Sequence, residues 1–154
     1  MIIEVDKTNL KVASRIHSIS WKESHKSFCT TDFTELHTPQ RQEEYLHSKL
    51  VYGCKLFMLV EGEPIGIISI MDSVIEDFCI LLEKQNLGFG TKLLQYAITQ
   101  CRGVATLRIL ENNKVAERLY CRMGFKATGK RNSITNGIDA IEFAFLQLIV
   151  LSLI

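Results

Sequence analysis

The run Val74-Ile75-Glu76-Asp77-Phe78-Cys79-Ile80-Leu81-Leu82-Glu83-Lys84-Gln85-Asn86-Leu87-Gly88-Phe89-Gly90-Thr91 decides the fold. Five apolar residues in succession, Phe78 to Leu82, predict a strand over 74–82 buried on both faces. A helical stripe of Leu93, Leu94, Ala97, Ile98 and Cys101 follows. Between strand and helix stand two glycines, Gly88 and Gly90, which let the backbone approach a ligand closely. The free amides at the helix start make an anion site, so a phosphate or pyrophosphate is the expected ligand, although structural turns also carry G-x-G. A dinucleotide fingerprint would need a third glycine where Leu93 stands, and Gly88-Phe89-Gly90-Thr91-Lys92 lacks the order of a P-loop. Nicotinamide and nucleoside triphosphates are demoted accordingly.

Upstream, Ile2 to Val5 reads as a first strand, and Leu10, Ala13, Ile16 and Ile19 as a helix through Trp21. Thr38-Pro39 opens a second helix that runs through Leu46 and Leu50 to stop near Gly53. From Lys55 the period becomes that of strands: 56–60, a turn at Glu61-Gly62-Glu63-Pro64, then 65–71. Downstream come a strand over 105–110 and a helix bearing Val115, Ala116, Leu119 and Met123, closed by Gly124. A final hairpin, 126–134 and 138–146, turns at Asn136-Gly137. The order gives an α/β class with a mixed, mostly antiparallel central sheet and helices on both faces.

A chain of 154 residues suits one domain, expected over 1–146, and buries about 70% of its unfolded surface without a staple. Eighteen Lys plus Arg against 17 Asp plus Glu argue against a dedicated nucleic-acid binder. The five cysteines lie too far apart for metal spacing, and the four histidines form no H-x-x-x-H pair, so no metal is expected. The thiols read as reduced, which fits a cytoplasmic protein. Glu4 stands where a signal peptide would be basic or apolar, so no signal peptide is expected. The apolar stretch 141–154 is too short for a membrane helix. Its end, 147–154, is an apolar tail expected to be buried, with a homodimer interface as one cover.

Gln85-x-x-Gly88-x-Gly90 after a hydrophobic strand resembles the acyl-CoA pyrophosphate loop of the GCN5-related N-acetyltransferase (GNAT) superfamily. About 25 residues later, Asn113-x-x-Ala116-x-x-Leu119-Tyr120-x-x-Met123-Gly124-Phe125 is similar to that superfamily's second motif. The resemblance implies an acyl-CoA N-acyltransferase fold using acetyl-CoA as co-substrate. It implies that Ile80, Leu81 and Leu82 pair with the pantetheine arm like an added strand, and that Gln85, Asn86, Leu87, Gly88, Phe89, Gly90 and Thr91 wrap the pyrophosphate. Asn113 would contact the pantetheine or phosphate end, and Tyr120 would point its hydroxyl at the thioester sulfur. Asn86 and Leu82 depart from the common pattern, which has glycine or arginine at the first and proline at the second. Arg108 stands where members that acetylate ribosomal-protein N-termini tend to carry a glutamate base, which lowers the expectation of that chemistry.

Amide formation needs a neutral amine, and an amine of pKa about 10.4 costs about 4.6 kcal/mol to deprotonate at pH 7. Glu76 and Asp77 are the best-placed carboxylates; side-chain alternation puts Glu76 on the same side as Phe78 and Ile80. Either is equally well read as a solvated strand end. An amide near Ile80 would hold the oxyanion, and Tyr120 would serve the departing thiolate. Cys79 reads as a buried strand cysteine rather than a nucleophile. Lys114, Arg118, Arg122 and Lys126 repeat every four residues, a solvated face or an attraction for CoA phosphates. Trp21, Glu23, Phe28, Asp32, Phe33 and Glu35, with the loop 131–137, are the candidate acceptor pocket for a small-molecule or peptide amine. The alternative is a non-catalytic CoA-binding or regulatory module of the same fold.

Overall fold

A computed structural model describes residues 1–26, 35–135 and 137–146. The switch from helical to alternating patterning at Lys55 produces the centre of the sheet. In chain order the elements are β1 (Ile2–Glu4), α1 (Leu10–His25), α2 (Pro39–Val51), β2 (Lys55–Glu61), β3 (Glu63–Met71), β4 (Val74–Ile80), a short 3-10 turn (Leu82–Lys84), α3 (Phe89–Gln100), β5 (Thr106–Leu110), α4 (Lys114–Met123), β6 (Phe125–Thr135) and β7 (Ile138–Phe145). Seven strands form one sheet in the order β1-β2-β3-β4-β5-β7-β6. Every pairing is antiparallel except β4 with β5.

Two apolar layers sandwich that sheet. On one face Leu10, Ala13 and Ile16 of α1 and Leu46 of α2 pack on Leu56, Met58 and Ile67. On the other, Leu93, Leu94 and Ala97 of α3 and Tyr120 of α4 pack on Phe57, Ile68, Ile75, Leu107, Phe125 and Phe143. Each large apolar side chain removed from water in this way contributes about 1.5–3 kcal/mol. The expected mixed, mostly antiparallel sheet with helices on both faces is therefore the observed one. Local signals act as expected at the helix ends: Thr38 Oγ1 accepts from the Arg41 amide at 3.2 Å with Pro39 next to it. Gly124 ends α4 at φ 108°, and a Cβ there would lie 3.2 Å from the Phe145 ring.

β4 departs from the sequence reading in two ways. It ends at Ile80 rather than Leu82, because turn bonds from Lys84 N to Leu81 O (2.9 Å) and Gln85 N to Leu82 O (3.2 Å) replace the ladder. Leu82 is consequently exposed, so the expected burial on both faces does not reach it. The second departure is a β-bulge. Ile67 pairs with Cys79 and Ser69 with Glu76, so Asp77 and Phe78 together oppose Ile68. Asp77 sits there at φ 53°, in a left-handed region that a non-glycine residue seldom occupies.

Phe28, Cys29, Asp32, Phe33, Asn136 and the tail 147–154 lie outside the described residues. Among the described residues no helix is long and apolar enough to cross a membrane.

Gly66, opposite Ile80 on β3, has no room for a side chain. A Cβ there would meet the Cys79 carbonyl oxygen at 2.8 Å and Ile80 Cδ1 at 2.5 Å. Gly66→Ala is expected to destabilise the protein by about 1–3 kcal/mol, read as a lower urea midpoint at unchanged slope. A midpoint equal to wild type would contradict this packing.

Candidate active site

β4 and β5 stay together for two residue pairs only, Val74 with Thr106 and Ile75 with Leu107. Beyond them the strands part, and the gap opens into a cleft of about 1110 Å³. Its walls include Glu76 to Ile80 on β4, Arg108 to Leu110 on β5, Gln85, Asn86, Gly88 and Gly90 at the start of α3, and Asn113, Ala116, Leu119 and Tyr120 at α4. His17, Trp21 and Glu23 of α1 close the side nearest the bulge.

The register settles which amides face this gap. Leu81 N donates to Ile65 O at 2.8 Å, so Gly66 and Ile80 form the pair that exchanges no bonds, and the Ile80 amide turns away from β3 toward the cleft. Leu81, grouped by the sequence reading with Ile80 and Leu82 as a pairing residue, is corrected here: its amide is already engaged by β3. Leu82 belongs to the 3-10 turn rather than to a strand edge.

The loop after β4 is held in shape by its own residues. Gln85 Nε2 donates to Ile80 O at 3.0 Å and latches the loop to the end of the strand. Asn86 and Gly88 adopt positive φ, 60° and 89°, and Gly88 is the N-cap of α3 with no side-chain cap. The first amides of α3, from Phe89 to Thr91, are left without helical acceptors at the mouth of the cleft. Gly90 lies over the β4 floor, where a Cβ would be 3.5 Å from Phe78 and 3.8 Å from Ile80. Leu87 is exposed at the tip.

Asn113 caps α4, its Oδ1 accepting from the Ala116 amide at 3.2 Å. Tyr120 is buried, packed against Phe78 and Phe125, and its hydroxyl bonds to no described residue. Burial, with the nearby Cys79 thiol, pushes its pKa well above the ordinary phenol value. Tyr120 therefore stays protonated and can donate. Burial likewise pushes Cys79 up to about 12, leaving it a thiol. Lys114, Arg118 and Arg122 line the cleft, while Lys126 has passed into β6.

The bulge overturns the side-chain alternation expected for Glu76. Phe78 and Ile80 face α3 and α4, whereas Glu76 and Asp77 both face α1 and α2. Lys49 of α2 bridges the two carboxylates, 2.5 Å from Asp77 Oδ2 and 3.1 Å from Glu76 Oε2. Asp77 also accepts from Ser69 Oγ at 2.6 Å and Tyr45 Oη at 3.1 Å, and His17 Nε2 lies 3.6 Å away. Burial alone would raise the Asp77 carboxyl, but Lys49, His17 and Ser69 outweigh it and hold it below the ordinary range. Burial lowers His17 despite the pull of Asp77, which keeps the imidazole neutral near pH 7. With both oxygens engaged, Asp77 is a poor proton acceptor. Glu76 keeps about half of its side chain exposed.

Lys49, Ser69, Tyr45 and His17 were not singled out from the sequence, since their partner lies between 8 and 60 positions along the chain and no local motif joins them. Of the candidate acceptor pocket, Trp21 and Glu23 line the cleft; Trp21 stacks on His37 at 3.5 Å, and Glu35 is exposed outside it. Among the described residues no cluster of three or more His, Cys, Asp or Glu could hold a metal.

A parted β4–β5 pair beside an uncapped helix start is an arrangement that other proteins share, and the profile of the acetyltransferase (GNAT) domain family matches residues 19–146. This chain belongs to the GNAT family. GNAT-like structures cover nearly all of it. YjaB of Escherichia coli, solved in its apo form, has 19% identity and a TM-score of 0.73 over 95% of this chain and 97% of that one. The PaiA N-acetyltransferase of Thermoplasma acidophilum, solved in complex with coenzyme A, has 17% identity and a TM-score of 0.71 over 95% and 98%. YncA of Salmonella typhimurium, solved with acetyl-CoA, has 19% identity and a TM-score of 0.65 over 96% and 93%. At such identities the likeness is one of fold. A search of curated protein sequences found no match.

The Asp77–Lys49 pair gives this GNAT protein a defined acid response. Because the folded carboxyl titrates below its ordinary value of 3.8, its charged form stabilises the fold above that value, and the contribution is lost as pH falls through the lower folded one. Asp77→Asn is expected to cost about 3 kcal/mol near pH 7, with the gap to wild type shrinking below about pH 4 in urea titrations. A gap independent of pH would contradict the assignment.

Proposed function

We propose that this GNAT protein transfers an acetyl group from acetyl-CoA to a primary amine of a small molecule or peptide, by direct attack on the thioester. One observation carries the reading: the inward-turned amide of Ile80, the open amides at the start of α3 and the side chain of Tyr120 border a single cleft. These are a hydrogen-bond donor for an oxyanion, an anion site for a pyrophosphate and a proton donor for a thiolate.

The pantetheine arm would lie along the parted edge of β4, paired to Ile80 as a short added strand. The pyrophosphate would rest on the amides of Gly88 to Thr91, with Lys114, Arg118 and Arg122 adding positive charge nearby. The amine would enter from the α1 and α2 side, where Glu76 faces the cleft. Glu76 is the better proton acceptor, because the Asp77 carboxylate is fully engaged and held low. Attack closes the new C–N bond as the negative charge on the carbonyl oxygen meets the Ile80 amide. Collapse breaks the C–S bond, the attacking nitrogen sheds its remaining extra proton to water, and Tyr120 donates its hydrogen bond or proton to the departing sulfur, regaining any proton it gives from water.

Acetyl-CoA at a hundredfold excess over its Kd is expected to stabilise the fold by about 2.7 kcal/mol, seen as a rise in Tm of several degrees. No rise at millimolar ligand would overturn the reading, and a rise without thiol release from any amine would reduce it to a CoA-binding module. Tyr120→Phe should lower kcat by about 10²-fold while leaving the acetyl-CoA Kd nearly unchanged. Glu76→Gln should lower the rate at pH 7 and recover toward wild type as pH approaches the amine pKa, since the free amine then needs no acceptor for its first proton. A pH-independent defect would remove Glu76 from that role.

A further inference from the structure

The end of the cleft away from the α3 loop carries two opposite charges on neighbouring strands. Ile75 and Leu107 are the last parallel pair, both directed into the α3 side of the core. Glu76 and Arg108 come next on each strand, so both project from the opposite face at the point where the strands part. Both line the cleft, and they make no ion pair with one another.

Among the described residues Arg108 makes no ion pair with a carboxylate. Lys49 is matched by Asp77 and Glu76, Lys26 by Glu23, and Arg131 by Glu111 and Asp139. Glu142, which the register sets across from Arg108 on β7, accepts instead from Thr128 Oγ1 at 3.0 Å. With the Asn132 amide turned so that its oxygen faces Arg108, Nη1 donates to it at 3.1 Å. That contact is to a neutral oxygen. The remaining donors of the guanidinium stay available in a fork that suits a carboxylate.

Taking the acetyltransferase reading above as its basis, we infer that the acceptor is an amino-carboxylate, a free amino acid or a compound with a carboxylate close to its amine. Its ammonium docks against Glu76 on β4 and its carboxylate against Arg108 on β5. Glu76 then takes the ammonium proton, and the neutral nitrogen attacks the thioester carbon held between Ile80 and Tyr120. The charges fit an acceptor that carries both signs; an amine without a carboxylate would forgo a charge-assisted contact with the exposed Arg108.

The test compares free-thiol release from acetyl-CoA with matched acceptors: a panel of amino acids, their carboxamides and the amines lacking the carboxyl carbon. Wild type is expected to favour the carboxylate member of the best pair roughly 10- to 100-fold in kcat/KM. Arg108→Gln should collapse that ratio toward one, Arg108→Lys should keep part of it, and Arg108→Glu should invert it in favour of the uncharged or dicationic amine. The acetyl-CoA Kd of each variant serves as the check that the fold and cofactor site persist. Equal use of amides and acids by wild type, or a ratio unmoved by Arg108→Gln, overturns this inference while leaving the acetyltransferase standing. Binding without thiol release from any member of the panel overturns this inference, whereas absence of acetyl-CoA binding overturns the acetyltransferase reading and this inference with it.

Discussion

Two parallel residue pairs hold β4 to β5, and the strands then separate because β4 carries an extra residue that β3 cannot match. The bulge at Asp77 swings the rest of β4 away from the line of β5, and a buried carboxylate fixes the bulge in place. Without it, the ladder could continue through Arg108 to Leu110 and the gap would close. The cleft is thus a pairing defect stabilised by an ion pair, with the helices arranged around it.

Buried ion pairs are seldom a source of net stability, because desolvating both charges offsets most of their attraction. Here the pair does something more particular. Asp77 has positive φ, its oxygens are shared among Lys49, Ser69 and Tyr45, and an apolar residue of similar size would have no reason to prefer that backbone state. The lysine comes from α2, so the helix that covers the β2–β3 end of the sheet also determines the shape of the cleft at the β4–β5 end. Glu76, bound to the same lysine, inherits its direction from this arrangement.

The architecture could be read from the sequence wherever local chemistry dictates local structure. The threonine and proline that start α2, the glycines at 88 and 124 and the period change at Lys55 each act within a few residues of themselves. Gly88-x-Gly90 and Asn113 to Gly124 likewise announced the loop and the helix that line the cleft. What the sequence concealed depends on register. Alternation assigns Glu76 a side only if β4 is regular, and nothing in Val74 to Ile80 signals an inserted residue. The amide of Leu81 looks as available as that of Ile80 until Ile65 is seen to claim it. The Lys49 bridge spans 28 positions, a distance at which a single sequence carries no pairing information.

The latch from Gln85 to the carbonyl of Ile80 bears on timing as well as shape. A loop already held by that bond, and by two residues locked at positive φ, loses little conformational freedom when a ligand arrives. The entropy of ordering it was met when the chain folded. Association at this mouth is then governed by diffusion and by the field of the nearby basic side chains, with no preceding rearrangement to wait for. Occupancy of the cleft can follow the ligand concentration on the timescale of encounter rather than of loop closure.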